Sequence, residues 1–172
     1  MRTQIVFPRT ISEKTDTVAR AVSLLKKGEC IALPTETVYG LAADALNPEA
    51  VAKIFEVKQR PRFDPLIVHL PNRDWLERIV RVRDDDRPLI EKLVGRFWPG
   101  PFTIALPRRS IVPDIVAAGL ETVAVRMSSH QTFAEVIRAF GLPLAVPSAT
   151  DLAGLARRQR DMSSMNCVRG FL

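Results

Sequence analysis

Short apolar runs alternate along this chain with segments in which apolar residues recur at helical spacing. The segment 133–140 has apolar residues at positions i, i+3, i+4 and i+7, which predicts a helix with one apolar face. The segment 30–33, in contrast, is a continuous apolar run closed by Pro34, which is typical of a buried strand. Because such strands and helices alternate, the sequence predicts an α/β fold, a sheet with helices packed on it.

Local start and stop signals define the other elements. Lys26, Lys27 and Gly28 give a helix beginning near residue 18 a cationic last turn and a glycine stop. Asn47 and Pro48 form a typical helix start, a cap residue followed by proline. The remaining predicted helices are 74–80 and 88–98, and the predicted strands are 4–7, 30–33, 65–70, 102–106, 122–127 and 144–146.

Size and composition exclude several protein classes. A chain of 172 residues, 47% hydrophobic and 26% charged, has the character of one folded domain rather than a disordered segment. Cys30 lies in an apolar run and is interpreted as a core residue, so we expect a reducing, cytoplasmic setting. No apolar run reaches the roughly 18 residues of a membrane span, and residues 1–10 lack a signal-peptide core, so no membrane association is expected.

The chain is basic, with a formal net charge of +6. This charge favours polyanionic partners, namely nucleotides, RNA such as double-stranded RNA or tRNA, or membrane surfaces. The charge alone does not distinguish a nucleotide-binding enzyme from a protein that binds RNA without specificity.

Polar side chains follow a predicted buried strand in the segment 33–41, LPTETVYGL. Ligands bind at strand ends in α/β folds, and hydroxyl groups with free backbone N–H groups can bind small polar substrates there. The alternative is that Thr35 or Thr37 merely caps a helix.

Two further segments have the same character. Lys58, Arg60 and Arg62 place three cations at the end of the Pro48 helix, which favours a phosphate site. The alternative is that these cations only complement the helix dipole. The segment 145–149, AVPSA, is another buried strand that delivers a hydroxyl, that of Ser148, just past a proline.

Together these segments resemble the YrdC-like family. The motifs that carry the resemblance are PTETVYGL (34–41), KQRPRFDPLIVHL (58–70), WPGPFTIAL (98–106), VAVRM (123–127) and PLAVPSA (143–149). The resemblance as a whole covers residues from about 14 to 149 without a large gap. The resemblance implies an open, twisted mixed sheet with flanking helices around a large basic, concave cavity, of the kind also associated with double-stranded RNA binding.

The resemblance also implies an activity. Family members are nucleotidyltransferases that form L-threonylcarbamoyladenylate and pyrophosphate from L-threonine, bicarbonate and ATP, with Mg²⁺ as the expected helper ion. A downstream tRNA-modifying threonylcarbamoyltransferase complex then places the threonylcarbamoyl group on adenosine 37 of tRNA, the t6A modification. The alternative is a non-catalytic YrdC-like module that binds double-stranded RNA or ribosomes.

The matched positions imply roles for individual residues. Lys58, Arg60 and Ser148 are expected to be catalytic, and no side-chain nucleophile is required. Threonine and bicarbonate are expected to contact Thr35, Tyr39, His69 and Arg126. ATP is expected to contact Lys58, Arg60, Arg62, Thr103, Ser148 and Thr150.

The end of the chain departs from the family pattern. After Ala149 the family usually continues with asparagine, then a glycine and Ser-Pro-Thr, whereas this chain continues as TDLAGLARRQRDM. Back-translation of that segment with one additional adenine can be read as NRFGRLSPTTARH, which restores the whole pattern. We therefore interpret 1–149 as an incomplete YrdC-like domain and 150–172 as an out-of-family tail produced by a frameshift. Such a tail would replace part of the nucleotide-binding wall and reduce activity.

Overall fold

The structure is a computed structural model that describes residue 6 and residues 10–61, 63–149 and 166–167. Its helices are α1 (Ile11–Lys26), α2 (Pro48–Lys58), α3 (Trp75–Ile79), α4 (Arg87–Phe97), α5 (Asp114–Ala117) and α6 (Gln131–Phe140). Its strands are β1 (Ile31–Leu33), β2 (Gly40–Asp44), β3 (Ile67–His69), β4 (Thr103–Pro107), β5 (Thr122–Arg126), β6 (Leu144–Ala145) and β7 (Asn166–Cys167).

The strands of the described residues form one open sheet in the order β4-β5-β3-β6-β2-β1-β7. The sheet is mixed: β3 pairs with β5 and β1 with β7 in parallel, whereas the other neighbours pair antiparallel. An open mixed sheet with flanking helices is the predicted fold class, which is therefore confirmed.

Capping side chains fix the starts of two helices, α1 and α2. Thr10 Oγ1 accepts a hydrogen bond from the backbone N–H of Glu13 at 3.2 Å and begins α1. Asn47 Oδ1 accepts from the backbone N–H groups of Glu49 and Ala50 at 3.0 and 3.2 Å, just before Pro48. Each cap satisfies N–H groups that a helix cannot pair internally, so the predicted start at Asn47 is confirmed.

The sheet has a separate hydrophobic core on each face. On one face, β-strand residues such as Val68 and Val125 pack against residues of α2, α3, α4 and α5. On the opposite face, a smaller cluster that includes Ile31, Leu33 and Leu144 packs against α1 and α6. Lys14 of α1 and Glu135 of α6 form an ion pair of 2.7 Å that joins these two helices.

The helices α1 and α6 pack on β1, β2 and β6, and among the described residues no helix covers the same face of the sheet along β3, β5 and β4. Along β3, β5 and β4, the residues that share this face are Ile67, Ala124, Thr103 and Ala105, which all keep some solvent exposure. Directly paired residues point to the same side of a sheet. This half of the sheet therefore presents two alanines, a threonine and Ile67 beside the α6 edge.

Some elements were not predicted from the sequence. The alanine-rich β2 lacks the β-branched residues typical of strands, yet it is buried along almost its whole length. The four-residue α5 and the two-residue β7 are too short to show periodicity. The strand predicted at 4–7 lies outside the described residues apart from Val6. Within the described ranges, no helix is long and apolar enough to cross a membrane.

Candidate active site

The end of α2 brings Lys58 to the segment that follows β6. Gln59 adopts a left-handed conformation with φ of 50°, and the N–H of Arg60 bonds back to the carbonyl of Phe55 at 3.1 Å, so the chain turns sharply there. Lys58 is buried, and its Nζ donates a hydrogen bond to the carbonyl oxygen of Ser148. A cation at a helix end is thus joined to the chain segment that bears a predicted catalytic hydroxyl.

The loop 35–39 between β1 and β2 lies against the same segment. Gly40 forms a bridge with Ser148, and the N–H of Leu41 donates to the carbonyl of Pro147 at 3.0 Å. The N–H of Ala149 donates to the carbonyl of Tyr39 at 2.6 Å. These backbone bonds bring together the three polar segments that the sequence singled out, 33–41, the Lys58 end of α2 and 145–149.

Thr35 organises this loop. Its Oγ1 accepts hydrogen bonds from the N–H groups of Thr37 and Val38, both at 3.2 Å, and donates to the carbonyl of Val38 at 2.6 Å. The hydroxyl therefore closes a tight turn, and the alternative that Thr35 caps a helix is wrong because no helix forms at 35–39. The turn presents Thr37, Val38 and Tyr39 at the exposed tip of the loop.

Three predicted residues form one row across the sheet. Arg126 of β5 pairs with His69 of β3 on one side and with Thr103 of β4 on the other. Their side chains therefore share the face that α1 and α6 leave half open. The ring of His69 contacts that of Phe133 of α6 at a tilt of 51°, with ring centroids 4.9 Å apart, so it marks the boundary between the covered and the open half.

The environment of His69 favours the neutral imidazole. Burial, followed by the positive charge of Arg126, lowers its pKa to about 3, and the negative charge of Glu36 acts in the opposite direction. Its Nδ1 is buried and has no hydrogen-bond partner among the described residues. A buried polar atom of this kind is rarely left without a partner, so a ligand group is a natural candidate for it.

A carboxylate connects the loop 35–39 to this row. Glu36 Oε1 accepts hydrogen bonds from Arg126 Nε at 3.0 Å and from Arg126 Nη2. Glu36 Oε2 accepts from Ser128 Oγ and from the N–H of Ser129, the latter at 3.2 Å. Burial alone would raise the pKa of Glu36, but the hydrogen bonds from Ser128, its own backbone and Arg126 outweigh it and hold the pKa below its usual range.

Glu36, Ser128 and Ser129 were not predicted as site residues. The sequence shows a carboxylate, that of Glu36, in the middle of a hydroxyl-rich loop and an arginine, Arg126, at the end of a predicted buried strand. Neither feature predicts that these two side chains form an ion pair.

Arg60 turns toward its own loop. Its Nη2 donates to the carbonyl of Pro65 at 3.2 Å and pairs with Asp64 Oδ1 at 2.7 Å, while its buried Nε has no partner among the described residues. Arg62 and Thr150, the other predicted ATP contacts, lie outside the described residues. Within the described part of the chain, no group of three or more His, Cys, Asp or Glu residues could hold a metal ion.

Comparison with known proteins identifies the family of this chain. The model of a family named for Sua5, YciO and YrdC, described as "Telomere recombination", matches residues 23–156. The chain belongs to the Sua5, YciO and YrdC family. This is the YrdC-like family that the sequence motifs indicated.

Relatives in the Sua5, YciO and YrdC family are clearly similar in sequence and structure. The chain is 48% identical over 136 residues to the threonylcarbamoyl-AMP synthase of Bacillus subtilis, covering 77% of this chain and 38% of that protein. It is 34% identical over 142 residues to the threonylcarbamoyl-AMP synthase of Vibrio parahaemolyticus, covering 81% of this chain and 75% of that protein. The crystal structure of P. abyssi Sua5 complexed with L-threonine matches with a TM-score of 0.81 at 34% identity, covering 98% of this chain and 49% of that one. The chain thus spans less than half the length of the B. subtilis and P. abyssi proteins.

Proposed function

We propose that this chain is the catalytic domain of an L-threonylcarbamoyladenylate synthase. In the proposed reaction, the amine of L-threonine forms a bond to the carbon of bicarbonate, and water leaves. A carboxylate oxygen of the resulting N-carboxy-threonine then bonds to the α-phosphorus of ATP, and pyrophosphate leaves with the electron pair of the broken P–O bond. The product would supply a downstream threonylcarbamoyltransferase complex that modifies adenosine 37 of tRNA, in the cytoplasm.

The observation that carries this proposal is the hydrogen bond from Lys58 Nζ to the carbonyl oxygen of Ser148. It joins a cationic helix end to the hydroxyl-bearing strand ends, with the Arg126 row close by through the loop 35–39. Because the reaction builds negative charge at phosphorus, positioning and electrostatic stabilisation are the catalytic means it needs. The similarity to two proteins named threonylcarbamoyl-AMP synthase supports the same reaction.

Each predicted residue receives a role in this proposal. Lys58, Arg60 and Arg62 would bind the triphosphate, for which Arg60 would exchange its ion pair with Asp64. Arg126 would hold the carboxylate of threonine, and His69 would use its unpartnered Nδ1 for another polar group of the amino acid. The remaining contacts would come from Thr35 and Tyr39 toward threonine and bicarbonate, and from Thr103, Ser148 and Thr150 toward the nucleotide.

Magnesium would act as the companion ion of ATP. Mg²⁺ retains several waters and is commonly bound by substrate phosphates together with one or two carboxylates, so a dedicated protein cage is not needed. When bound, it would neutralise charge on the phosphate oxygens. The chain's own cations would orient the same phosphates.

Lys58→Ala tests the proposed function through pyrophosphate release. The protein should release pyrophosphate from ATP only when both L-threonine and bicarbonate are present. A charge-assisted hydrogen bond is worth about 1.5–3 kcal/mol, so Lys58→Ala should lower kcat/KM about 10- to 150-fold. The rates are measured with a coupled pyrophosphate assay on this chain and on the chain with the restored reading frame.

Lys53→Ala is the matched control, because Lys53 lies on the same helix and pairs at 2.9 Å with Glu29, which precedes β1, rather than with the segment after β6. It should leave the rate unchanged within about twofold, since a partly exposed ion pair outside the proposed site contributes only about 0–1 kcal/mol. Equal losses in both variants, or no threonine-dependent turnover in either reading frame, would contradict the proposal.

A further inference from the structure

The carboxylate of Glu36 occupies a complete set of hydrogen-bond donors. Arg126 gives two N–H groups to one oxygen, and Ser128 Oγ with the N–H of Ser129 serves the other. Ionised carboxylates bind most strongly to such charge-assisted donors. The donors therefore form a carboxylate-binding site that a residue of the protein itself fills.

The donors and the acceptor are held in different ways. Arg126 ends β5 and is buried, with only about a tenth of its side chain exposed, and Ser128 and Ser129 lie in the short connection to α6. Ser128 Oγ also accepts the N–H of His130 at 3.2 Å, which fixes its position at the helix start. Glu36, by contrast, sits on the loop 35–39, whose tip residues are exposed. The donors and the acceptor therefore belong to separate segments of the chain, which also meet where Arg126 Nη2 lies 3.4 Å from Thr37 Oγ1.

The charge of Arg126 requires a partner at this depth. Removing one member of a buried ion pair is strongly destabilising, because the other charge is left uncompensated. An incoming carboxylate would compensate Arg126 as well as Glu36 does. Exchange of one carboxylate for another is therefore nearly neutral, whereas simple loss of Glu36 is unfavourable.

We propose that Glu36 occupies the site that the proposed function assigns to the carboxylate of the amino acid, and that the incoming carboxylate displaces it from Arg126, Ser128 and the N–H of Ser129. The identity of the incoming amino acid rests on the proposed function, whereas the binding of a carboxylate to these donors can be tested separately. Glu36 acts as an internal competitor, so the apparent affinity for the amino acid is reduced by the fraction of molecules in which the site is closed.

The first experiment fills the vacated site with a small carboxylate. Glu36→Ala should unfold at a lower temperature than the unchanged protein, and added sodium acetate should raise its midpoint several degrees more than it raises that of the unchanged protein. Acetamide and sodium chloride at matched concentrations should have no such effect. In Glu36→Ala with Ser128→Ala, the acetate response should shrink.

Glu135→Ala is the matched control for loss of a paired glutamate, because Glu135 pairs with Lys14 on the surface between α1 and α6. It should gain no response to acetate. If acetate stabilises Glu36→Ala no more than it stabilises Glu135→Ala, the carboxylate site is overturned.

The second experiment measures displacement with Glu36→Gln, which keeps the shape of the side chain and folds even if the alanine variant does not. The amide should compete less well for Arg126, so calorimetry should show L-threonine binding about tenfold tighter, the factor that corresponds to 1.4 kcal/mol. Weaker threonine binding would mean that Glu36 is a fixed support of Arg126, and would overturn the displacement. If acetate stabilises Glu36→Ala but neither protein binds L-threonine, the carboxylate site stands and the proposed function fails.

Discussion

His69 is a buried histidine that the protein keeps neutral at physiological pH. Its ring lies in tilted contact with that of Phe133, and burial followed by the charge of Arg126 lowers its pKa to about 3. A neutral imidazole has one nitrogen that donates and one that accepts a hydrogen bond. Under the proposed function, this pair of properties suits recognition of an uncharged hydroxyl beside the charged groups of an amino acid.

His69→Gln should flatten the pH dependence of stability. The unfolded chain binds a proton at His69 below about pH 6.5, whereas the folded protein does so only near its depressed pKa, so unfolding becomes more favourable as pH falls. From about pH 8 to about pH 5 this single group should remove about 2 kcal/mol from the free energy of unfolding. Urea unfolding at several pH values measures the effect.

His130→Gln, a change at the chain's other histidine, serves as the control for this measurement. The difference between the two variants should grow as the pH is lowered. If the free energy of unfolding of His69→Gln depends on pH as steeply as that of the unchanged protein, the conclusion that His69 is buried and neutral is contradicted.

At the residue scale, the motifs predicted which charged and hydroxyl side chains belong to the site, but not which of them contact one another. Lys58 and Ser148 were expected at one site and are directly joined. Glu36 was missed because its partner Arg126 lies 90 residues later, and no local pattern reports a contact at such a separation. The orientation of Arg60 toward Asp64 is a local ion pair that competes with the predicted phosphate role.

Among the elements, β2 depends on a glycine at its first residue. A Cβ atom on Gly40 would lie 2.2 Å from Val146 Cγ1, which is closer than nonbonded atoms can approach. Val146 is buried and β-branched, so it has little freedom to move away. The close contact is what allows the start of β2 to pair with Ser148 beside the loop 35–39.

Gly40→Ala should therefore destabilise the protein by about 1–3 kcal/mol, the range for inserting a methyl group into a packed region. Gly95→Ala is a sharp control, because Gly95 lies in exposed α4 with no atom within 4 Å of the added Cβ. That change should stabilise the protein by about 0.5–1 kcal/mol through helix propensity. Thermal or urea unfolding should show a loss of stability for Gly40→Ala and a gain for Gly95→Ala. A change of the same sign in both variants would contradict the close contact of Gly40 with Val146.

At this scale, helices were predicted more completely than strands. Asn47 with Pro48 marked the start of α2 because capping is a local interaction. The strand β2 was missed because its alanines gain their burial from neighbours on both sides, β1 and β6, which the sequence does not reveal. The pairing of β3 with β5 and β6 likewise depends on contacts distant in sequence.

For the molecule as a whole, some of the positively charged side chains form hydrogen bonds that hold the fold together. Arg108 donates to the carbonyls of Leu120 and Val112, both at 2.8 Å, and Arg109 donates to the carbonyls of Glu77 and Val80. These two arginines line a groove of about 460 Å³. Their donor groups secure loops around α5 and α3, so the net charge overstates the surface available to RNA.

We propose that the segment 150–172, of which the structure describes only 166–167, is read out of frame. Inserting one adenine after the codon of Ala149 should raise the free energy of unfolding, because the restored asparagine, glycine and Ser-Pro-Thr would complete the domain. A whole domain is stable by only about 5–15 kcal/mol, so completing the fold should move a urea transition measurably. Genomic sequencing across this codon gives the independent check. If the gene continues in the same frame, and no other frame after Ala149 encodes the family pattern, the hypothesis is wrong.

Along β5, residues that pack in the core alternate with residues on the open half of the sheet face. Val123 and Val125 face the larger core, whereas Ala124 and Arg126 face the open half, and the paired residues of β3 and β4 alternate in the same way. Under the proposed function, changes in amino-acid preference are therefore expected at every second residue of these strands, while the intervening residues preserve folding. A search for variants with a new amino-acid specificity would then need to sample few positions, each next in sequence to a residue that must stay hydrophobic.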